Sequence, residues 1–381
     1  MKKLILSLCV LGLMLAPLSA ATSPEKTFDV KPGKRLVIDL KPGGEIFVTG
    51  WKKSRVAVAV TVDGKERADM PFSIRKTDDG VEIEIELDSQ FSKWFRKNRD
   101  FKVNVRVPEK FDLKLRSMGG SIAVHDVKGE ITGRTMGGNL ELKNLGGVVY
   151  MKTMGGDVTL RDSNVDGEVR TMGGRVLLED VVGDVKGSSM GGNVIYRNVK
   201  RKTGGDSTDK VVRISTMGGA VNVDDAPRGA DLHTMGGQIN VKSAGDFVKA
   251  KTMGGDIHLN AVDGWIEAKT LGGDIVARMV GTPSKKDRHV RMSSLGGDLD
   301  LAVPAGLSMD VDIEITVYRN GHNEFRIKND FGLKVEEEKE WRQKGSREFR
   351  IIRATGRIGD GKHKVELHTI SGNVTLRKAG K

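Results

Sequence analysis

An all-β chain is predicted, a single-stranded parallel β-solenoid of 18-residue coils capped by longer strands at both ends. Three observations predict it: a glycine pair recurring at a fixed spacing, a period-two apolar alternation inside each unit, and a glycine content that helices do not tolerate. The first glycine of the pair stands at 119, 137, 155, 173, 191, 218, 236, 254, 272 and 296, in steps of 18 broken once by 27 and once by 24. A fixed period of this length marks a stacked repeat. In the unit opened by Gly173 the apolar residues are Val176, Leu178, Val181 and Val185; in the unit opened by Gly254 they are Ile257, Leu259, Val262 and Ile266, with Ala268 next. Alternation over four or five residues is strand rather than helix. A unit is thus two short strands, a corner between them and a closing Gly-Gly turn. Eighteen residues cannot bury their own apolar face, so units must stack. At about 4.8 Å per layer, ten layers make a rod of about 48 Å. Parallel crossovers are right-handed almost without exception, so a right-handed coil is expected. The chain holds 49 Gly in 381 residues, about 13% against a usual ~7%. Each interior Gly costs a helix about 1 kcal/mol, and pairs rather than every third residue exclude collagen.

Each column of the repeat has a chemical reading. The glycine pair is expected to supply the positive φ of the closing turn. Asn139, Asp157, Asn193, Asp256, Asp274 and Asp298 follow it and tolerate turns. Calcium-binding solenoids use a nine-residue repeat with a further Gly before the Asp, a Gly missing here. Met118, Met136, Met154, Met172, Met190, Met217, Met235 and Met253 precede the pair, and Leu271 and Leu295 take the same place later. Stacked thioethers could form a soft-metal ladder for Cu(I). Leu packs like Met but ligates no metal, so the column is expected to fill one corner of the core, and no cofactor is expected. The Thr or Ser before nearly every Met reads as structural.

Taken in order, residues 1–21 read as a signal peptide: Lys2-Lys3, an apolar run over 4–18, and Ser19-Ala20-Ala21. Export to the periplasm, the cell surface or the medium follows. Cys9, the single Cys, lies inside this segment, which leaves no disulfide. Residues 22–116 form an N-terminal cap with alternating strands over 36–40, 45–48, 55–60 and 81–87. Residues 117–303 carry the repeats. Residues 304–381 form a C-terminal cap, with a strand over 309–317, a charged arm through Trp341 and a final pair of strands around 369–374. Caps are needed because a stack ends in unpaired edges.

The irregular steps place insertions at one corner of the coil, after Val199 and after Val280, and insertions on one edge of a solenoid often form its binding face. Both are basic: Arg201 and Lys202 in the first, Lys285, Lys286 and Arg288 in the second. The N-terminal cap adds Lys93, Trp94, Arg96, Lys97 and Arg99, aromatic residues interleaved with base. With a net charge of +12, these point to anionic envelope components or glycans, with peripheral membrane contact and no nucleic acid.

Lys102-Val103-Asn104-Val105-Arg106-Val107-Pro108 leads through Leu113-Lys114-Leu115 into Ser117-Met118-Gly119-Gly120-Ser121-Ile122, and Val365-Glu366-Leu367 leads to Ser371-Gly372-Asn373-Val374-Thr375-Leu376. This resembles the bacterial adhesin-candidate domains called toast-rack, over most of residues 30–381. The resemblance implies repeated strand–Gly-Gly–strand units and a surface or periplasmic role; it carries no catalytic signature.

Parallel β-helices also host polysaccharide hydrolases and lyases, which need clustered carboxylates on one face. Glu179-Asp180 and Asp224-Asp225 are the candidates, but His125-Asp126 and Arg161-Asp162 stand at equivalent places and make a polar corner. There is no His-x-x-x-His zinc spacing, nucleophile elbow or P-loop. The expected function is a non-enzymatic, adhesin-like or envelope-scaffold protein; the alternative is a carbohydrate-active enzyme on acidic polysaccharide.

Overall fold

The computed structural model describes residues 25–41, 43–62, 65–66, 72–85, 101–200, 211–319 and 324–380. Among them no residue is helical, and the strands stack in parallel register at the period of the sequence. On one face Ile122–His125 pairs with Leu140–Lys143, which pairs with the start of Val158–Thr171, then Val176–Val182 and Val194–Lys200. The ladder resumes through Val221–Ala226, Ile239–Ala244, Ile257–Val262, Ile275–Met279 and Leu299–Val303. The second strand of each coil builds the other face, from Asp112–Ser117 and Lys128–Arg134 to Trp265–Lys269 and Val290–Ser294. Val176, Leu178, Val181, Ile257, Leu259, Val262, Ile266 and Ala268 all point into the narrow core between the faces and are buried.

The closing turn works by a different device from the one expected. No glycine of the recurring pairs from Gly119 to Gly297 has a left-handed φ. The pair is required by proximity instead. A Cβ on the second glycine would lie 1.9–2.2 Å from the backbone of the layer before it, from Gly120 through to Gly297. Left-handed φ values of 49–61° occur at the opposite corner, at Asp126, Asn144, Asp162, Asp180 and Asn198. Asn and Asp tolerate that region better than other side chains, which explains the polar corner. The Asp or Asn after the pair bonds across layers: Asn139 Oδ1 accepts from the Asp157 N–H, Asp157 Oδ1 from Arg175 N–H, and Asp256 Oδ1 from Asp274 N–H.

The methionine column does not fill the core. Met118 to Met253 are 42–53% exposed, and Leu271 and Leu295 are exposed with them. The core corner belongs to the residue before them: Ser117, Thr135, Thr153, Thr171, Ser189, Thr216, Thr234, Thr252, Thr270, Ser294 and Thr369 are all buried. Each hydroxyl donates to the carbonyl of the second glycine one layer back, at 2.7–3.2 Å. Most also accept the N–H of the second glycine of their own turn at 2.9–3.4 Å. A buried hydroxyl is costly unless bonded; here it satisfies two backbone groups that the turn leaves without strand partners.

The repeat continues into both end segments. Glu45–Trp51 pairs in parallel with Ile122–His125, and Ser117 bonds the Gly44 carbonyl. At the other end His363–Ile370 and Val374–Lys378 return from an excursion to pair with Val290–Ser294 and Leu299–Val303. Antiparallel strands complete the ends: Arg55–Val62 on Phe101–Pro108, Phe72–Thr77 on Gly80–Ile85, and Arg347–Ile358 on Met309–Tyr318.

The insertion after Val280 folds onto its own corner. His363 is buried beneath it, and its Nδ1 accepts the Arg288 N–H at 3.3 Å. Burial, helped by the Lys362 and Arg288 charges and only partly opposed by Asp287, pushes the His363 imidazole below its usual pKa. Such a group binds a proton more readily in the unfolded chain. Its contribution is therefore complete above the usual value of 6.5 and is lost as pH falls through the lowered one. Thermal unfolding should shift to lower temperature between pH 7.5 and pH 5, and His363→Gln should flatten that dependence. An unchanged slope in the variant would reject this assignment.

Candidate functional site

Strand alternation runs on past the end of the second strand and places two columns side by side on the outside. In Val149-Tyr150-Met151-Lys152-Thr153-Met154 the first, third and fifth residues are buried and the others exposed. Met154 therefore shares its side of the chain with Lys152. Repeated over layers, this sets the methionine stripe beside a column holding Arg116, Arg134, Lys152, Arg170, Ser188, Ser215, His233, Lys251, Lys269, Ser293 and His368; no acidic residue stands between these two ends, where Asp39 and Glu314 are the next in register. Between the two columns lies a groove of about 780 Å³ that runs from Ser117 to Met217 and is lined mostly by apolar surface. Arg134, Lys152, Arg170 and Lys186 stand along it. Arg134 and Lys152 form no ion pair among the described residues. Arg170 donates to Glu168 at 2.6 Å and to the Ser188 hydroxyl at 3.1 Å, which holds its guanidinium over the groove wall. The stripe is the one extended row of exposed large apolar side chains among the described residues; Tyr150, Val276 and Val335 stand outside it. Contiguous exposed apolar surface of this kind usually marks an interaction site.

The residues singled out from sequence lie elsewhere. Lys93, Trp94, Arg96, Lys97, Arg99, Arg201 and Lys202 fall outside the described residues, as do residues 1–21. Lys285 is exposed on the insertion. Lys286 bridges Asp246 at 3.1 Å and Asp263 at 3.2 Å, and these bonds raise its pKa. Arg288 is not available to a partner at all. Its side chain is fully buried, and it donates to the carbonyls of Thr282 and Val280 and to Asp263 Oδ1. Burial favours the neutral Asp263 carboxyl, but the bonds from Arg288 and Lys286 outweigh it and hold the pKa low. His289 stacks on Trp265, which stacks on Phe247. This insertion is a braced corner, on the side of the coil opposite the groove.

The candidate catalytic carboxylates are engaged. Glu179 lies between Arg161 and Arg197, Asp224 pairs with Lys242 at 2.8 Å, and Asp225 accepts from the Ser243 hydroxyl. Among the described residues no group of His, Cys, Asp and Glu is arranged to hold a metal ion. A basic column beside the methionines also repels cations, whatever the softness of the sulfur.

The groove was legible in one feature of the sequence, the shared parity of Met with Arg or Lys two residues earlier. Hydrophobicity alone, which assigns Met to the interior, conceals it.

The family model described as Toastrack DUF4097 matches residues 34–377. No curated protein matches the chain. Among solved structures, a cell-adhesion candidate from Clostridium sporogenes is 10% identical, over 94% of this chain and 100% of that one, with a TM-score of 0.17. An adhesin candidate from Parabacteroides distasonis is 11% identical, over 73% and 96%, with a TM-score of 0.29. A lipid-binding candidate from the same species is 10% identical, over 93% and 96%, with a TM-score of 0.22. At these scores the three structures say nothing of what this chain binds.

Proposed function

Given that this chain belongs to the Toastrack DUF4097 family, we propose that it is an exported, non-enzymatic scaffold of adhesin-like character, which presents a repetitive surface to anionic envelope partners. One observation carries the reading: the column from Arg116 to His368 contains basic, hydroxyl and imidazole side chains and no carboxylate. Arg116, Arg170 and Lys251 lean on Asp39, Glu168 and Glu267, which leaves Arg134 and Lys152, in adjacent layers about 4.8 Å apart, as the neighbouring cations that draw a polyanion. The signal-like N-terminus supports export. The engaged state of Glu179, Asp224 and Asp225 supports binding over hydrolysis.

The test is binding of the purified protein to an acidic polysaccharide across a salt series. Affinity should fall steeply as the Debye length shrinks from about 10 Å at 0.1 M to about 3 Å at 1 M salt. The triple variant Arg134→Ser, Lys152→Ser, Arg170→Ser should weaken it at low salt. Serine stands in this column natively at Ser188, Ser215 and Ser293, so the fold should be retained. Salt-insensitive binding, or none, would overturn the reading.

A further inference from the structure

From the pairing of an apolar stripe with a basic column, we infer that the groove between Met118 and Met217 binds a single-chain anionic amphiphile, its acyl chain laid along the methionines and its acidic headgroup held by Arg134, Lys152 or Arg170. The inference deepens the function proposed above and shares its basic column, but it requires something a polyanion site does not: the methionines.

Three observations lead to it. First, alternation turns the stripe outward, but nothing in the packing requires it to be apolar. The hydroxyl before each Met closes the core corner and bonds the turn, so a polar residue at the Met position would leave the packing intact. An apolar residue nonetheless occupies that position at every layer, as Met through Met253 and then as Leu271, Leu295 and Ile370. Second, the groove is elongated. It crosses the layers of Met118, Met136, Met154, Met172, Met190 and Met217, about 24 Å at ~4.8 Å per layer. Its volume of about 780 Å³ falls in the usual range of small-molecule sites, about 300–1,000 Å³. A linear chain fits such a shape better than a compact ring system. Third, the charge is on one side only. Arg134, Lys152 and Arg170 repeat beside Met136, Met154 and Met172. A headgroup can therefore meet a cation at any of several registers while the chain stays on sulfur and methylene. Met suits this role because its unbranched thioether adapts to a flexible apolar ligand. The basic column repels a cation, and a neutral lipid gains nothing from it.

The test uses the purified protein and palmitoyl lysophosphatidylglycerol below its critical micelle concentration, followed by calorimetry. The comparison ligands are palmitoyl lysophosphatidylcholine, which keeps the chain and loses the net charge, and glycerol phosphate, which keeps the anion and loses the chain. Saturable binding is expected for the first, at least about tenfold weaker binding for the second, and none for the third. The double variant Met154→Gln, Met172→Gln preserves side-chain length at exposed positions. It should weaken the amphiphile at least about tenfold and leave acidic-polysaccharide binding unchanged. Met154→Leu, Met172→Leu should restore amphiphile binding, as Leu271 and Leu295 suggest. The serine triple variant should weaken both ligands. Amphiphile binding that is absent, or indifferent to the Gln variant, or equal for the two headgroups, would overturn the inference. If it fails while polysaccharide binding persists, the proposed function survives; if polysaccharide binding fails while the amphiphile binds, the groove stands alone.

Discussion

Gly156→Ala should disrupt the stack, whereas Gly155→Ala, one residue earlier, should leave it nearly unchanged. A Cβ at Gly156 would lie 2.2 Å from the Gly138 carbonyl oxygen and 2.4 Å from its carbon. Both are backbone atoms, so no rotamer change relieves the contact. Gly138 cannot retreat either, because a Cβ there would already lie 2.2 Å from the Gly120 carbonyl carbon. The layers must separate locally, which breaks the hydrogen bonds of the turn and opens the core. A cost of about 3 kcal/mol or more is expected, at the upper end for overpacking. At Gly155 the nearest atom is 3.6 Å away, an ordinary contact, and φ is not left-handed. There the change should fall within about 1 kcal/mol. Urea unfolding of the two variants beside the parent checks this. In a stack where each layer touches only its neighbours, the Gly156 variant should also split the transition. Equal tolerance at both positions would mean that proximity of layers is not what demands the pair.

The second large effect is expected at Thr171→Val. Thr171 is fully buried; its hydroxyl donates to the Gly156 carbonyl at 2.8 Å and accepts the Gly174 N–H at 3.2 Å. Val matches its shape and removes both bonds, so any loss reports polar satisfaction rather than volume. Each buried group left without its partner costs about 1–3 kcal/mol. Thr171→Ser keeps the oxygen and should be mild, since Ser117, Ser189 and Ser294 make the same bonds natively. Thermal unfolding that is unaltered in the Val variant would show that water satisfies the turn instead.

These two variants bear on the same corner of the coil. Met and Thr compete for one buried place in each layer, and hydrophobicity assigns it to Met. The structure assigns it to Thr because the turn exposes a carbonyl and an N–H to the core corner. A methyl-bearing hydroxyl fills that corner and bonds both. Parity would have settled the matter: Val149, Met151 and Thr153 alternate with Tyr150, Lys152 and Met154, and no bulge intervenes. Thioethers placed in the interior leave no groove beside them. Of the basic insertions, the one after Val280 spends Arg288 as a buried brace.

Period and alternation along the chain were enough to establish the all-β class, the 18-residue layer, the parallel stacking and the membership of the aliphatic core. Those features depend on spacing and on burial of apolar area, both of which are local properties of a repeat. Spacing cannot say which neighbour a side chain meets one layer away. The need for Gly156, the buried hydroxyl ladder and the alignment of methionine and basic residues into one groove all arise from contacts between residues 15–18 positions apart. Only stacking at about 4.8 Å brings such residues together, and at that distance a carbonyl, rather than hydrophobicity, decides what lies inside.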